Sequence, residues 1–375
     1  MENEKIWIWQ DSNYPNFKYD KNALSASLLQ VSQNSGRLDG ILTMLGVQKS
    51  NALKVESSIN EIITSSKIEG EILDRQSVRS SILKKIDDSA IQKDKSTKHT
   101  DGLVAMFMDS STNNSPLTVD RLNGWHNTLF PSGYSGLYKI NVAKFREEEM
   151  SVVSYKQGRE QTHYIAPPPD TLDKEMDAFL RFVNTSKVEP YTKAAIAHFW
   201  FVTIHPYDDG NGRIARAITN YILSKEIGLN NGYYSISTAI VEDKKRYYEL
   251  LEQSQRLIYN KNLDITQWIL WHTQMINKAI EISLQQVQIA IQKANFWDRA
   301  RKHTLNARQI KVLNKLLDAG VDGFEGGLST KKYISIAKTS TATAKRDISD
   351  LLSKNLISQV EGTAGRNVRY VVKLV

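Results

Sequence analysis

The sequence predicts an all-α protein that carries one small β-hairpin and a separate C-terminal domain. Apolar residues recur at the three- and four-residue spacing of amphipathic helices over most of the 375 residues. One isolated stretch, residues 150–165, instead has two short β-prone runs around a glycine-containing turn. From residue 306 onward, short helical patterns give way to two short alternating strands. Helices packed on helices therefore dominate the predicted fold.

The composition excludes several classes of protein and site. The chain has no cysteine, which excludes disulfides, thiolate metal sites and a cysteine nucleophile. No run of about 18 uncharged apolar residues appears, and the first residues lack the apolar core of a signal peptide. We therefore expect a cytoplasmic protein that does not span a membrane. The net charge is +8, and residues 306–375 hold 12 Lys and Arg against 6 Asp and Glu, so 12 − 6 = +6 falls in that segment.

The N-terminal part, residues 1–110, is predicted to be a helical region. A charged connection over residues 87–98 suggests a joint between domains near residues 90–110. The predicted helices of this region are Asn22–Leu45, Ala52–Ile68, Ser77–Ile86 and Asp101–Met108.

The middle part, residues 111–260, is predicted to form a helical core, followed by a helical connector over residues 261–304. The hairpin of residues 150–165 interrupts this core, and a turn cluster covers residues 131–136. The predicted helices are Thr118–Leu129, Leu172–Val183, Thr192–Ile204, Asn211–Ile227, Glu242–Leu257 and Ile265–Ala294.

The C-terminal part, residues 305–375, resembles a winged helix. Helices are predicted over 307–317, 330–337 and 341–354, with strands over 357–360 and 369–372. The resemblance implies a recognition helix opened by residues 339–346, whose small polar and basic residues suit contacts with DNA. Winged helices also bind proteins, so both partners stay open.

The densest chemistry lies between residues 205 and 216, which read His-Pro-Tyr-Asp-Asp-Gly-Asn-Gly-Arg-Ile-Ala-Arg. Gly210 and Gly212 allow a tight turn before the helix that starts near Asn211, so backbone N–H groups converge on an anion. Arg213 and Arg216 share a helix face and bind phosphate oxygens through their planar guanidinium groups. These residues predict a phosphate site, to which Asn211 adds an amide donor.

Two further residues of this segment supply reactive groups. His205 ends the preceding helix, and its usual pKa of about 6.5 suits a proton acceptor near neutral pH. Asp209 is a carboxylate suited to Mg²⁺, which uses one or two carboxylates beside phosphate oxygens and water. A dinucleotide fold is excluded because a helix, not a strand, precedes the glycines, and EF-hand and P-loop spacings are absent.

Residues 205–216 resemble the Fic-domain signature H-P-F-x-[DE]-G-N-G-R-x-x-R, with Tyr207 in place of the usual phenylalanine. The order of hairpin and helices from about 115 to 260 is similar to that family's. The resemblance implies a mainly helical Fic fold with a β-hairpin flap, and transfer of AMP from ATP to a hydroxyl of a protein. It also implies ATP as substrate and Mg²⁺ as cofactor.

The family resemblance implies a role for each residue of the motif. His205 would deprotonate the target hydroxyl, and Asp209 would carry Mg²⁺. The phosphates would be held by Gly210, Asn211, Gly212, Arg213 and Arg216.

Residues 65–70 resemble the family's inhibitory signature [ST]-x-x-x-E-[GN], placed N-terminal to the core. Ser65 and Glu69 lie four residues apart and so share a helix face, and Gly70 can end that helix. The resemblance implies that Glu69 pairs with Arg216 and blocks productive placement of ATP. Whether Glu69 only inhibits or also positions a water that removes AMP stays open.

The resemblance also implies a surface that docks the protein substrate. The hairpin is similar to the family's flap, whose edge aligns a target segment by strand addition, through Val152, Val153, Ser154 and Tyr155. For the adenine we name Tyr247 and Tyr248, aromatic residues that can stack on a base, although core packing is the commoner role of adjacent aromatics.

The predicted function is thus an autoinhibited protein adenylyltransferase acting on Ser, Thr or Tyr hydroxyls. The sequence leaves self-modification and a homodimer open. Two alternatives also stay open. One is removal of AMP, or transfer of another nucleotide or phosphate, by the same site. The other is a DNA-binding regulator whose core only senses nucleotide.

Overall fold

The computed structural model describes residues 6–45, 47–86, 94–156, 159–228, 232–318 and 326–374. The chain forms two compact units, Met1–Ser283 and Leu284–Val375. The first unit contains both the predicted N-terminal region and the predicted core, and the four-part division of the chain stays a prediction. Among the described residues, no helix has the length and apolar character needed to cross a membrane.

Within residues 6–45, 47–86 and 94–112, four helices form the N-terminal part of the first unit, as predicted. Helix α2 begins five residues earlier than expected, and α4 extends beyond the predicted segment at both ends. Residues 87–93 of the predicted connection lie outside the described residues. The helices are α1 (Lys21–Leu45), α2 (Val47–Ile68), α3 (Arg75–Ile86) and α4 (Lys98–Thr112).

Seven further helices follow in the described parts of residues 113–300: α5 (Val119–Leu129), α6 (Leu172–Thr185), α7 (Pro190–Ile204), α8 (Asn211–Ile227), α9 (Ile236–Glu242), α10 (Lys244–Gln255) and α11 (Thr266–Ala300). The centre of the unit is α7, in which every residue from Tyr191 to Ile204 is buried. Glu189 caps this helix by accepting bonds from the first free N–H groups. Helix α8 packs against α7 and also against α4. The loop that joins α7 to α8 therefore has a packed helix at each end.

The predicted helix Glu242–Leu257 is present as α10, which begins two residues later and ends two residues earlier. Helix α9 ends at Glu242, and Asp243 has φ −123° and ψ 33° before α10 begins. The Asp243 carboxylate accepts a bond of 2.8 Å from the Trp271 indole. The sequence analysis did not predict α9, because neither glycine nor proline marks the break after it and the contact at the break comes from α11.

Among the residues of the core that the structure describes, two hairpins occur where the sequence predicted one. The predicted hairpin is confirmed as antiparallel β3 (Ser151–Lys156) and β4 (Arg159–Ile165), with a register shift between Val152 and Val153. A second pair, β1 (Tyr134–Ser135) and β2 (Tyr138–Lys139), lies in the predicted turn cluster. Strands of two residues are too short to show alternation, so expecting a single isolated hairpin was wrong.

The second unit has the predicted order of elements. It contains α12 (Ala307–Leu317), α13 (Thr330–Ala337), α14 (Thr341–Ser353) and the antiparallel strands β5 (Ile357–Gln359) and β6 (Tyr370–Val372). Its apolar core includes Leu313, Tyr333 and Leu351. Buried Asp347 accepts bonds from Arg308 and Tyr333 and so ties three helices together. The assignment of this unit as a winged helix stays a prediction.

Candidate functional site

His205 is placed at the C-terminal end of α7, where the helix turns into the loop. Its backbone is left-handed (φ 52°, ψ 57°), and its N–H donates to the Phe201 carbonyl at 2.9 Å. The ring Nδ1 lies 3.2 Å from the Val202 carbonyl, so Nδ1–H is the donor and Nε2 is the proton acceptor. Burial lowers the pKa of His205. The imidazole is therefore neutral at pH 7 and chemically fit to be a base.

Arg146 fixes the backbone of the loop that carries His205. The side-chain Nε of Arg146 donates to the His205 carbonyl at 2.9 Å, and the backbone N–H of Arg146 donates to the Pro206 carbonyl at 2.9 Å. The rest of the guanidinium binds the carbonyls of Glu148 and Pro167. Sequence reasoning missed this residue because an isolated arginine gives no local signal of a contact 59 residues away.

Tyr207 and Asn211 hold the loop from inside. The Tyr207 ring is fully buried, and its hydroxyl donates to Asn123 Oδ1 at 2.9 Å. The Asn211 side chain accepts from the Tyr207 N–H at 3.0 Å and donates to the Tyr207 carbonyl at 2.7 Å. The Asn211 amide thus supports the loop, a role that the predicted phosphate contact did not include.

His126 supports the loop from α5. Its Nδ1 accepts from the Ala143 N–H at 3.1 Å, so Nε2–H donates to the Asp209 carbonyl at 3.2 Å. The ring stacks on Tyr207 with centroids 4.2 Å apart. Burial lowers the pKa of His126 to about 4, so the ring is neutral at pH 7, and its two hydrogen bonds select this tautomer. Sequence reasoning did not single out this residue.

The N-terminus of α8 offers the predicted anion site. Gly210 is its N-cap with φ 83° and ψ 0° and provides no side-chain cap. The first N–H groups of a helix have no acceptor within the helix, so those of Asn211, Gly212 and Arg213 are available to an anion. A Cβ at Gly210 would lie 2.9 Å from the Phe130 ring, so a side chain does not fit there.

Asp209 lies at the open edge of this loop, with its side chain 41% exposed. One carboxylate oxygen accepts from the Gly210 N–H and the other from the Ser135 hydroxyl. Among the described residues, no group of three or more His, Asp or Glu side chains could hold a metal by itself. A single exposed carboxylate nonetheless fits Mg²⁺ that arrives on a nucleotide, because phosphate oxygens and water fill the other positions.

Arg216 is buried and already engaged by the end of α2. Its side chain is 2% exposed, and one terminal nitrogen donates to Glu69 Oε1 at 2.7 Å. Ser65 accepts twice, through its hydroxyl at 2.9 Å and its carbonyl at 3.0 Å. A Cβ at Gly212 would collide with the Glu69 carboxylate. The structure thus brings Ser65, Glu69 and Arg216 together over the N-terminal turn of α8.

Arg213 is held by a residue that the sequence prediction missed. Its side chain is 7% exposed and donates to Glu71 Oε2 at 3.2 Å. The guanidinium also lies over the Phe130 ring, 5.0 Å from its centroid. The other Glu71 oxygen is 2.5 Å from His99 Nε2. The only sequence signal was an acidic residue directly after Gly70, outside the inhibitory signature.

The way α2 ends explains how two carboxylates reach α8. Gly70 has φ +85°, its N–H donates to the Lys67 carbonyl at 3.1 Å, and the Glu71 N–H donates to the Ser66 carbonyl at 3.0 Å. This pair of bonds is a Schellman motif, which needs the left-handed conformation that glycine adopts without strain. Glu69 therefore precedes the turn and Glu71 follows it.

The two tyrosines named for adenine differ in position. Tyr247 is 2% exposed, and its hydroxyl lies 3.1 Å from His198 Nε2 in an aromatic cluster that includes Trp271. Tyr248 is 42% exposed, and its hydroxyl donates to the Ile68 carbonyl at 3.4 Å. Tyr248 is thus the one of the two that solvent can reach.

The hairpin β3–β4 is fastened to α10. His163 Nε2 is 2.6 Å from the Ser154 hydroxyl, and its Nδ1 is 3.0 Å from the Glu252 carboxylate. Val152 packs with an apolar cluster that contains Tyr164, and Val153 is half-buried. Tyr155 pairs with Glu160 through the backbone, and its side chain lies outside what is described. Docking of a target on this hairpin stays a prediction.

Comparison with known proteins identifies two parts of the chain. Residues 116–223 match the Fic/DOC family. The chain carries a Fic domain. N-terminal to the Fic domain, residues 7–87 match a domain of unknown function (DUF4172). His205 to Arg216 and the hairpin thus belong to the Fic domain, whereas Ser65, Glu69 and Glu71 lie in the preceding domain.

Relatives of the Fic domain include named enzymes. The chain is 35% identical over 94 residues to a protein adenylyltransferase Fic of Nematostella vectensis, covering 24% of this chain and 21% of that protein. It is 34% identical over 92 residues to the protein of that name from Drosophila melanogaster, covering 24% and 18%. The chain thus spans about a fifth of these relatives' length.

The fold is similar to that of a Fic family protein from Desulfovibrio desulfuricans G20. The TM-score is 0.55 at 16% sequence identity, with 94% of this chain and 97% of that chain covered. At this identity the likeness concerns the fold alone, and it extends beyond the Fic domain to nearly the whole chain.

Proposed function

We propose that this protein transfers AMP from ATP to a Ser, Thr or Tyr hydroxyl of a target protein, and that Glu69 holds the site closed. The observation that carries the proposal is the convergence of a neutral His205, the N-terminus of α8 and two buried arginines around one loop. Similarity to proteins named adenylyltransferases supports the same reaction. A protein target is proposed because the hairpin leaves strand edges for an extended segment.

In the proposed reaction His205 is the base. Nδ1–H is engaged by the Val202 carbonyl, so Nε2 takes the proton of the target hydroxyl. The hydroxyl oxygen bonds to the α-phosphorus of ATP, and the bond from that phosphorus to the pyrophosphate oxygen breaks. Pyrophosphate leaves and the proton remains on His205. Arg146 keeps His205 in place through the carbonyl of that residue, which limits motion in the reacting geometry.

The anion site binds the phosphates in this proposal. The N–H groups of Gly212 and its neighbours face the inner phosphates, and Arg213 and Arg216 neutralise the outer ones. Asp209 would hold Mg²⁺, which when bound neutralises charge on the phosphate oxygens. Tyr248 is the better candidate for contact with adenine because Tyr247 is buried in the core.

In this proposal Glu69 blocks the binding of the outer phosphate. Its carboxylate lies against Gly212 and Arg216, where the site would otherwise receive an outer phosphate. Carboxylate and phosphate compete for the same guanidinium, so ATP must displace Glu69 or bind without Arg216. Removal of AMP by a water that Glu69 positions is the alternative reaction of the same residues.

The experiment is labelling of a cell lysate by the Glu69→Gly variant with ATP labelled on its α-phosphate. We expect labelled proteins, including the variant itself, and a mass increase on the modified residue equal to AMP. The variant Glu69→Gly with His205→Ala should give none. A different added mass would replace adenylylation with another transfer, and labelling that survives His205→Ala would exclude His205 as the base.

The second unit supports a second candidate, DNA binding. Lys345 and Arg346 are exposed near the start of α14, and Ser340 caps that helix. Exposed basic residues there suit contacts with the DNA backbone. Retention of DNA that survives His205→Ala but not Lys345→Ala with Arg346→Ala would support this function.

A further inference from the structure

The end of α2 presents a second carboxylate to the phosphate site, two residues beyond Glu69. Glu71 binds Arg213 at 3.2 Å, and Asp209 lies farther from that guanidinium at 3.8 Å, while Glu69 binds Arg216 at 2.7 Å. Both glutamates come from the turn at the end of α2. Arg213 is 7% exposed and Glu71 31%, so water screens this pair less than it would a surface ion pair.

Glu71 is fully charged in this environment. The hydrogen bond from His99 lowers the pKa of Glu71, and the charge of Arg213 lowers it further, although burial opposes both. His99 belongs to α4, so Glu71 is braced from a helix that carries neither arginine. The result is an anion held in front of Arg213.

Ligands can reach this contact from solvent. A cleft of about 860 Å³ is lined by Glu69, Glu71, His99, Asp209 and Arg213, among other residues. Because Glu71 and Arg213 both line this cleft, a phosphate group that enters it can reach the guanidinium that Glu71 binds. Glu71 accepts from one terminal nitrogen of Arg213, and a phosphate that binds through that nitrogen must displace it, so the two anions compete.

We propose that Glu71 is a positioning residue that withholds Arg213 from the outer phosphates of a nucleotide, and that His99 keeps it there. The inference rests on the proposed function, in which Arg213 binds ATP. The site then opens in two steps, because release of Glu69 frees Arg216 alone. Glu71 thereby discriminates against triphosphates and is indifferent to AMP, which has no outer phosphates.

The test is calorimetric titration of the full chain with Mg²⁺ and either a non-hydrolysable ATP analogue or AMP. The Glu69→Gly background is used so that binding is measurable. Adding Glu71→Gln keeps the size of the side chain and removes its charge. We expect affinity for the analogue to rise about threefold to tenfold and affinity for AMP to stay unchanged.

Glu56→Gln is the matched control. Glu56 also lies on α2 and pairs with two arginines, Arg75 and Arg79, but it is 45% exposed and does not bind either arginine of α8. This variant should leave both affinities unchanged. A general disturbance of α2 would instead change them in Glu56→Gln as well.

His99 provides a second variant. His99→Ala should raise affinity for the analogue by a smaller factor, because Glu71 loses its brace but keeps its charge. His99→Gln keeps a nitrogen donor and should restore the parent value. A merely structural role for His99 would weaken binding of the analogue and AMP alike.

Two outcomes overturn the inference: unchanged or lower affinity for the analogue in Glu71→Gln, and an equal rise for AMP. Failure of the proposed function looks different. If Glu71→Gln binds the analogue more tightly but no variant transfers AMP, the proposal on Glu71 stands and adenylylation falls. Absence of any ATP binding would overturn both.

Discussion

The middle and the end of α2 both carry glutamate side chains, but these bind different kinds of partner. In the middle, Glu61 is 3% exposed and accepts bonds from Ser235 and from both the N–H and hydroxyl of Ser237, at the start of α9. At the end, Glu69 and Glu71 are about a third exposed and bind the arginines of α8.

The difference lies in what can replace each carboxylate. Glu61 caps the N-terminus of α9, the end of a helix that favours a negative charge. The serines that donate to Glu61 are neutral and buried. Glu69 and Glu71 stand at the C-terminus of their own helix, which disfavours acids, so the arginines of α8 must compensate. A nucleotide phosphate can take those arginines. We infer that the middle of α2 is anchored to α9 through Glu61. The end of α2, with Glu69 and Glu71, regulates access of a nucleotide to the arginines of α8.

The largest expected effect comes from removing the acid at the end. Glu69→Gly frees Arg216, and we expect the rate of AMP transfer to rise about 10- to 100-fold, the worth of a charge-assisted hydrogen bond. The rate of incorporation of α-phosphate-labelled AMP measures it. An unchanged or lower rate would show that the end of α2 does not regulate.

Removing Glu61, the glutamate in the middle of α2, should lower the free energy of unfolding. Glu61→Ala leaves the start of α9 without its acceptor, and we expect a loss of about 2 to 3 kcal/mol in the free energy of unfolding. Thermal unfolding of the variant beside Glu56→Ala, whose side chain is exposed, measures it. If Glu61→Ala instead activated transfer as strongly as Glu69→Gly without loss of stability, the two regions would not differ.

The turn between the two acids should have an intermediate effect. Gly70→Ala forces a left-handed alanine and costs about 1 kcal/mol, so we expect partial activation, about fivefold. Gly40→Ala on α1 is the control, because an alanine there meets no atom within 4 Å and favours the helix. Equal effects of both variants on transfer would contradict a special role for the turn.

The smallest expected effect is on the pH dependence of kcat/KM. Because burial lowers the pKa of His205, the neutral base persists below the usual histidine value. We expect kcat/KM of the Glu69→Gly variant to stay level as pH falls to about 6.5 and to decline only below it. A pH–rate profile from 5 to 8 measures the pH at which kcat/KM begins to decline. A decline that begins above pH 7 would mean that another group is titrating.

Local patterns made much of the fold predictable. Helix α8, Asn211–Ile227, matches the predicted segment because its glycine turn and apolar period are both local. Helix α12, with Asn306 as its cap, is equally clear. The hairpin at Tyr134 and the break at Asp243 were missed because one is too short for a pattern and the other depends on Trp271 in a distant helix.

The candidate site divides in the same way. His205 to Arg216 lie within one turn and one helix, so their grouping was readable from spacing. The contact between Glu69 and Arg216 spans 147 positions and was predicted only through the family resemblance. Arg146 and Glu71 follow no pattern, because their roles depend on which backbone or guanidinium the tertiary fold brings to them.

Hydrogen exchange along α2 tests the central claim most directly. The full chain is compared with and without saturating Mg²⁺ and a non-hydrolysable ATP analogue. We predict that the amides of residues 69–71, which bond back to Ser66 and Lys67, exchange faster when the nucleotide is bound, while those of residues 55–63 keep their protection. Loss of protection along the whole helix, or none in its last turn, would contradict an anchored middle and a regulating end.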